Sequence, residues 1–121
     1  MEENMSDFKR MDHILPVGTL KIAALEGCRD LGNAVDKCLV NSRKEAKNST
    51  ASAIPGYIAD SYLLDCHCPR FGTGEGKGHI NDSVRGADLY ILVDVCNYSL
   101  TYKVCGYENH MSPDNHYQDL K

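Results

Sequence analysis

The chain has 121 residues, which is enough for one domain but short for two. Hydrophobic residues make up 42% of it and charged residues 25%, a balance typical of a soluble globular protein rather than a disordered one. The net charge of -4 argues against a protein that coats nucleic acid. Any phosphate ligand therefore has to be held by local groups.

The sequence shows no sign of export or membrane insertion. The longest apolar run lies near Leu89–Cys96 and is far shorter than a membrane span. The N-terminus, MEENMSDFKRMD, is polar and lacks the apolar segment of a signal peptide. These features predict a cytoplasmic protein with neither membrane nor nucleic-acid partners. The six cysteines are then expected to be reduced, buried thiols rather than a disulfide framework.

A polar leader, a strand and a helix are predicted in the first part of the chain. Residues 1–18 are assigned to the leader, and the apolar run Leu20–Leu25 is typical of a buried strand. Between residues 28 and 45 apolar residues recur at i, i+3, i+4, i+7 and i+8, which predicts an amphipathic helix with Asp36 on its polar side. The segment after this helix reads as a loop that ends at the turn signal Pro-Gly.

Two further strands are predicted in the second part of the chain. Ser61–Cys68 can form a strand, and Ala87–Cys96 is nearly continuously apolar and β-branched, the pattern of a strand covered on both faces. Strands that alternate with helices predict a mainly parallel α/β sheet. Residues 97–111 read as irregular, and Ser112-Pro113 as the N-cap and first position of a short helix.

The run RFGTGEGKGHINDSVRG, Arg70–Gly86, contains five glycines and raises the question of a phosphate-binding loop. A P-loop requires G-x-x-x-x-G-K-[ST], but Phe71 holds the first glycine position and Gly78 the hydroxyl position. A dinucleotide fingerprint requires its glycines between a strand and a helix, whereas this run lies between two apparent strands. The pattern instead favours a flexible hairpin with glycines at positive φ.

Other candidate groups are weaker. Cys66, His67 and Cys68 could bind a metal, but alternation along a strand points His67 away from the two thiols, and packed thiols are favoured. Asp88 and Asp94 would lie about 20 Å apart on an extended strand, too far for joint acid–base catalysis.

Ser83 and Arg85 are a stronger candidate pair. A hydroxyl and a guanidinium at i and i+2 can face one phosphate together, although a solvated arginine in a turn explains the pattern equally well.

His110 and His116 are expected to be solvated.

RFGTGE (70–75) and INDSVRGADLYILVDV (80–95) occur in the order and spacing found in the N-terminal domain of ribose-phosphate pyrophosphokinases, which this sequence resembles. SPDNHYQDL (112–120) resembles a later segment of the same domain. The resemblance assigns residues 19–121 to a truncated N-terminal pyrophosphokinase-like domain. It implies a phosphoribosyltransferase-like α/β fold, here a partial domain, with a mainly parallel sheet flanked by helices and a β-hairpin.

The resemblance also implies an activity. The family transfers the diphosphoryl group of MgATP to ribose 5-phosphate, which yields phosphoribosyl pyrophosphate and AMP, and it forms homo-oligomers, typically hexamers. On the matching positions, Phe71, Thr73 and Glu75 would bind adenine, with Thr73 where the family has Asp or Asn. Ser83 and Arg85 would form the regulatory phosphate or ADP site.

The family's catalytic and metal-binding segments lie beyond the matching region, so the resemblance assigns no catalytic residue and no metal ligand to this chain. Mg²⁺ and ATP would be bound by the full-length enzyme, and this chain alone is expected to be inactive. The alternative is a non-catalytic, synthetase-like subunit with a regulatory or assembly role. The glycines in the hairpin predict that it is more flexible than its family counterpart.

Overall fold

The parallel pairing of two strands, β1 (Thr19–Ala24) and β4 (Ala87–Leu92), organises the fold. A computed structural model describes residues 15–46 and 50–121, so most of the predicted leader lies outside the described residues. On its other side β1 bonds to a third parallel segment: Ile22 N–H donates to Tyr62 O, and Leu64 N–H donates to Ile22 O, both at 2.8 Å. The predicted parallel α/β arrangement is confirmed, with β1 at its centre.

Helix α1 (Arg29–Glu45) follows β1 after one 3₁₀ turn, Glu26–Cys28, and packs against the sheet. The predicted helix is therefore confirmed, but its buried residues are Gly32, Asp36 and Val40, whereas Leu31 and Cys38 of the predicted apolar stripe are exposed. Gly32 lies where α1 crosses β1, and a Cβ built there would lie 2.6 Å from the Ala24 Cβ. Glycine thus permits the close approach of helix and strand, although it costs helix propensity.

The core lies between α1 and the three parallel segments. Its buried centre consists of Ile22, Val40 and Tyr62, surrounded by partly buried aliphatic side chains. Tyr62 is 1% exposed and satisfies its hydroxyl by donating to Tyr57 O at 2.6 Å. Burying a tyrosine at this position is possible because its polar atom has a partner.

Asp36 is not on a solvated face of α1, contrary to the prediction. It is 8% exposed, and its carboxylate accepts from the Tyr62 backbone N–H at 2.6 Å and from Ser61 Oγ at 2.8 Å. The third parallel segment leaves these two donors facing the helix, and the carboxylate satisfies both. Asp36 therefore joins α1 to the edge of the sheet.

The predicted strand Ser61–Cys68 is divided. Its first part pairs with β1 only at Leu63, and its last two residues form β2 (Cys66–His67), which pairs antiparallel with β3 (His79–Ile80). The chain changes partner because it leaves the parallel sheet to enter the glycine-rich hairpin.

The prediction that residues 97–111 are irregular is wrong. It contains a second hairpin, β5 (Thr101–Val104) and β6 (Tyr107–His110), paired in register from Thr101↔His110 to Val104↔Tyr107. Cys105 and Gly106 form its two-residue turn with φ of 51° and 85°. Positive φ at both positions is the signature of a type I′ turn, but cysteine is an unusual residue there, which hid the hairpin in the sequence.

Strand β4 is not covered on both faces, and it ends at Leu92 rather than Cys96. Tyr90 and Ile91 are 62% and 40% exposed. Among the described residues no other strand pairs with the free edge of β4. A near-continuous apolar run therefore lies at a sheet edge in this chain.

The short helix at the end of the described region, α2 (Pro113–Leu120), is confirmed with its cap. Ser112 Oγ accepts from Asn115 N–H, and Ser112 N–H donates to Asn115 Oδ1 at 2.9 Å, a reciprocal capping box. His116, expected to be solvated, is 4% exposed, and its Nε2 lies 2.6 Å from Asn97 O. His110 is exposed and stacks on Tyr98.

In the described part of the chain, no helix combines the length and apolar character needed to cross a membrane.

We expect Asp36→Ala to lower the free energy of unfolding by about 1–3 kcal/mol, because it leaves the buried Tyr62 N–H without a partner. Urea denaturation followed by circular dichroism measures the change. Asp60→Ala is the matched control. Asp60 pairs with Lys44, but its side chain is fully exposed, so the urea midpoint of this variant should barely change. Equal midpoints for the two variants would contradict the role given to Asp36.

Candidate functional site

Residues 70–76 of the glycine-rich run form a hairpin, as predicted, but of the five glycines in the run only Gly74 and Gly86 have positive φ. Phe71 N–H donates to Glu75 O at 2.9 Å, and Gly74 N–H donates to Phe71 O at 2.8 Å. One step further from the tip, Arg70 and Gly76 form an antiparallel bridge. Gly74 has φ of +93°, so the loop of residues 72–74 has the form of a turn closed by a glycine in the left-handed region. The Phe71 and Gly74 amides are used within the hairpin, and the Gly76 amide donates to Gln118 Oε1 at 3.3 Å, which argues against a phosphate cradle built from these groups.

The three residues predicted to bind adenine lie together at the tip of this hairpin. Phe71 is 52% exposed, and Thr73 and Glu75 are also exposed. The hydrogen bond between Phe71 and Glu75 places these two residues opposite each other at the base of the loop. An exposed aromatic ring, a hydroxyl and a carboxylate are thus presented to solvent on one short turn.

The base of the hairpin is held by Arg70, whose role the sequence did not reveal. Its guanidinium lies 2.8 Å from Asp119 Oδ1, and the two side chains are only 8% and 11% exposed. Its Nη1 donates to Gln118 Oε1 at 2.8 Å, and its Nη2 donates to Asn115 O at 3.2 Å. The Tyr102 ring lies 4.8 Å away, in cation–π geometry. No sequence signal pairs residues so far apart along the chain.

Burial dominates the electrostatics around Arg70. It raises the pKa of the Asp119 carboxyl above its ordinary value, although the charges of Arg70 and His116 act in the opposite direction. The pKa values of the Cys66 and Cys68 thiols are also raised, chiefly by burial. Both cysteines are therefore neutral thiols near pH 7 and poor nucleophiles.

The geometry around Cys66-His67-Cys68 follows the predicted alternation. Cys66 is buried and Cys68 partly buried, whereas His67 is exposed and its ring lies 4.9 Å from that of His79. Together with Asp119 these residues line a cavity of about 230 Å³. Within residues 15–46 and 50–121, no group of three or more histidine, cysteine or acidic side chains is placed to hold a metal ion.

The expectation that all six cysteines are buried thiols is wrong. All six are free, but only two are buried and three are exposed. The exposed ones are Cys38, Cys96 and Cys105. Cys38 lies on the outer face of α1, and Cys105 lies in the β5–β6 turn.

Ser83 and Arg85, the predicted anion pair, lie together in the turn that leads into β4. Arg85 N–H donates to Ser83 Oγ at 3.4 Å, and Ala87 N–H donates to Val84 O at 3.1 Å. Gly86 has φ of +74°, as position i+2 of a type II turn requires. Both side chains are exposed, so the turn presents a hydroxyl and a guanidinium to solvent. No hydrogen bond in the described residues links this turn to the tip of the glycine-rich hairpin.

Comparison with known proteins gives one family. The model of the N-terminal domain of ribose phosphate pyrophosphokinase matches residues 20–119, from β1 to α2 and including both hairpins. No curated protein and no solved structure matches the chain. Since the family match spans most of the 121 residues, and since the fold agrees with it, the chain belongs to the family of ribose phosphate pyrophosphokinase N-terminal domains.

Proposed function

We propose that this chain supplies the adenine-binding hairpin of a ribose-phosphate diphosphokinase. That enzyme transfers diphosphate from MgATP to ribose 5-phosphate, which gives phosphoribosyl pyrophosphate and AMP, and this chain alone is inactive. The observation that carries the proposal is the Phe71 ring, 52% exposed at the tip of a hydrogen-bonded hairpin in a chain of this family.

An exposed phenylalanine on an ordered turn suits a flat ligand. Stacking of a base on an aromatic ring contributes about 1–3 kcal/mol and uses a ring face that is otherwise in water. Glu75 can accept from the exocyclic amine of adenine but repels the carbonyl oxygen that guanine carries at the same ring position. Thr73 adds a hydroxyl that can donate or accept. The tip therefore favours adenine over guanine.

Mg²⁺ is not assigned to residues of this chain. It binds carboxylate and phosphate oxygens in an octahedral arrangement, and the described residues present no cluster of three or more candidate ligands. The proposal therefore assigns no magnesium ligand to these residues. What this chain contributes is the binding and orientation of the adenine ring.

The turn with Ser83 and Arg85 is proposed as the anion site, for phosphate or the phosphates of ADP. Its guanidinium is exposed, and its hydroxyl lies on the same turn, so one phosphate can contact both. A hydrogen bond to a charged group is worth about 1.5–3 kcal/mol. Because the net charge is -4, the overall field does not attract phosphate, and the proposal assigns phosphate binding to this local pair.

A second candidate function is a non-catalytic subunit that assembles with copies of itself or with active synthetases. The exposed edge of β4 favours it, since Tyr90 and Ile91 present apolar surface beside unpaired backbone groups. Mass-spectrometric detection of AMP formed from MgATP and ribose 5-phosphate, with and without an added active family member, separates the two. A change in the added enzyme's rate, together with co-sedimentation, would support the assembly role.

We expect Phe71→Ala to weaken ATP binding about 5- to 150-fold, the equivalent of the lost stacking free energy. Isothermal titration calorimetry of the purified chain with ATP and with GTP gives both affinity and selectivity. Phe71→Tyr keeps the ring face and should retain affinity, and Glu75→Gln should reduce the preference for ATP over GTP. Unchanged ATP affinity in Phe71→Ala would contradict adenine binding by the hairpin.

We expect Arg85→Ala to weaken binding of inorganic phosphate and ADP at least about tenfold, because the charged hydrogen bonds are lost. Titrations at two salt concentrations measure it, since an exposed ionic contact weakens as salt rises. Lys77→Ala removes another exposed cation outside this turn and is the matched control. If both variants bind phosphate equally well, the anion site is not at Arg85.

A further inference from the structure

Helix α2 contacts both strands of the glycine-rich hairpin, at the base of the hairpin. Gln118 Oε1 accepts from Arg70 Nη1 at 2.8 Å and from Gly76 N–H at 3.3 Å, and Arg70 and Gly76 are bridge partners. A Cβ at Gly76 would overlap the Asp119 carboxylate and lie 3.0 Å from the Arg70 guanidinium. Gly76 therefore serves close approach: it lets the helix reach the hairpin.

The β5–β6 hairpin contacts the same structure nearer its tip. The Tyr102 ring lies beside the Arg70 guanidinium at 4.8 Å, and Cys105 Sγ lies 3.8 Å from Gly72 O. Val104 lies so close to Gly74 that a Cβ built there would be 3.2 Å from its Cγ2. Tyr102 and Val104 alternate with Lys103 along β5; the first two are half-buried, whereas Lys103 is exposed. One face of β5 is thus directed at the glycine-rich hairpin.

The glycine-rich hairpin needs such support. A short two-stranded hairpin is only marginally stable by itself, and glycine loses more conformational entropy on folding than any other residue. Ordering the tip only when a ligand binds would subtract that cost from the affinity. Contacts that order it beforehand remove this cost.

We propose that Tyr102, on β5, and Gln118, on α2, are positioning residues for the nucleotide site. They hold Arg70 from two sides, and Arg70 holds the adjacent Phe71 in the orientation that adenine meets. This inference rests on the proposed function, adenine binding by the hairpin, and adds to it the two elements that pre-order the site. Neither residue touches the ligand.

The chain contains no tryptophan, so Phe71→Trp introduces its single indole at the tip, here called the reporter indole, which can be excited separately from the seven tyrosines. In this background we compare Tyr102→Leu, which removes the ring face, with Tyr102→Phe, which keeps it. Tyr107→Leu changes an exposed tyrosine on the same β5–β6 hairpin and is the matched control. Gln118→Ala tests the other side of Arg70. Time-resolved anisotropy measures the mobility of the reporter indole, and quenching of its fluorescence by ATP measures affinity.

We expect Tyr102→Leu and Gln118→Ala to increase the fast motion of the reporter indole and to weaken ATP binding about three- to tenfold. Tyr102→Phe should restore both, and Tyr107→Leu should change neither. If Tyr102→Leu acted only by destabilising the domain, it would lower the urea midpoint. Tyr102→Phe would then not restore ATP affinity. If Tyr102→Leu does not fold, Gln118→Ala carries the test alone.

Unchanged mobility of the reporter indole in both Tyr102→Leu and Gln118→Ala would overturn the inference, and so would increased mobility with unchanged ATP affinity. Failure of the proposed function gives a different result. ATP would then quench the reporter indole in none of the variants, including the one with Tyr102 and Gln118 intact, while the mobility differences would persist.

Discussion

The buried ion pair between Arg70 and Asp119 is the contact on which the arrangement of the second half of the molecule depends. It joins the base of the glycine-rich hairpin to α2, and the same guanidinium meets the ring of Tyr102 on β5. Removing two charges from water is costly, and the raised pKa of Asp119 reflects that cost. Arg70 offsets it because its fork of donors also reaches Gln118 and the Asn115 carbonyl. An arginine can hold three segments in this way, whereas a lysine has no planar fork.

The glycines of the hairpin have separate physical reasons. Gly74 adopts a positive φ that closes the turn, and Gly76 leaves room for the Asp119 carboxylate. Gly72, by contrast, has nothing within 4 Å of the position a Cβ would take, and nothing in the structure explains why it is glycine. The run therefore resembles a phosphate loop only in composition. The Phe71 and Gly74 amides close a turn, and the side chains of Phe71, Thr73 and Glu75 are exposed.

The first half of the molecule is a scaffold held together by strand pairing and by the packing of α1 on the sheet. β1 is bonded on both sides, α1 covers it at Gly32, and Asp36 satisfies donors at the sheet edge. This half brings β4 beside β1, and with β4 comes the turn that carries Ser83 and Arg85. Two exposed features, the Phe71 tip and the Arg85 turn, thus project from one small α/β scaffold. The proposed function gives both features a chemical interpretation.

The sequence by itself determined β1, α1, the cap of α2 and the hairpin at 70–76, because periodicity, capping residues and turn residues act over a few neighbouring positions. The family followed from the resemblance of residues 70–75 and 80–95 to its N-terminal domain, and the family comparison confirms it. The resemblance, rather than a local pattern, singled out Phe71, Thr73 and Glu75, and their exposure is a finding of the structure. Only the tertiary structure decided that Asp36 and His116 are buried, that β4 lies at an edge, and that residues 101–110 form a hairpin. It alone placed Arg70 between Asp119 and Tyr102. Burial and contacts of this kind depend on how whole elements pack against one another, which no local pattern encodes.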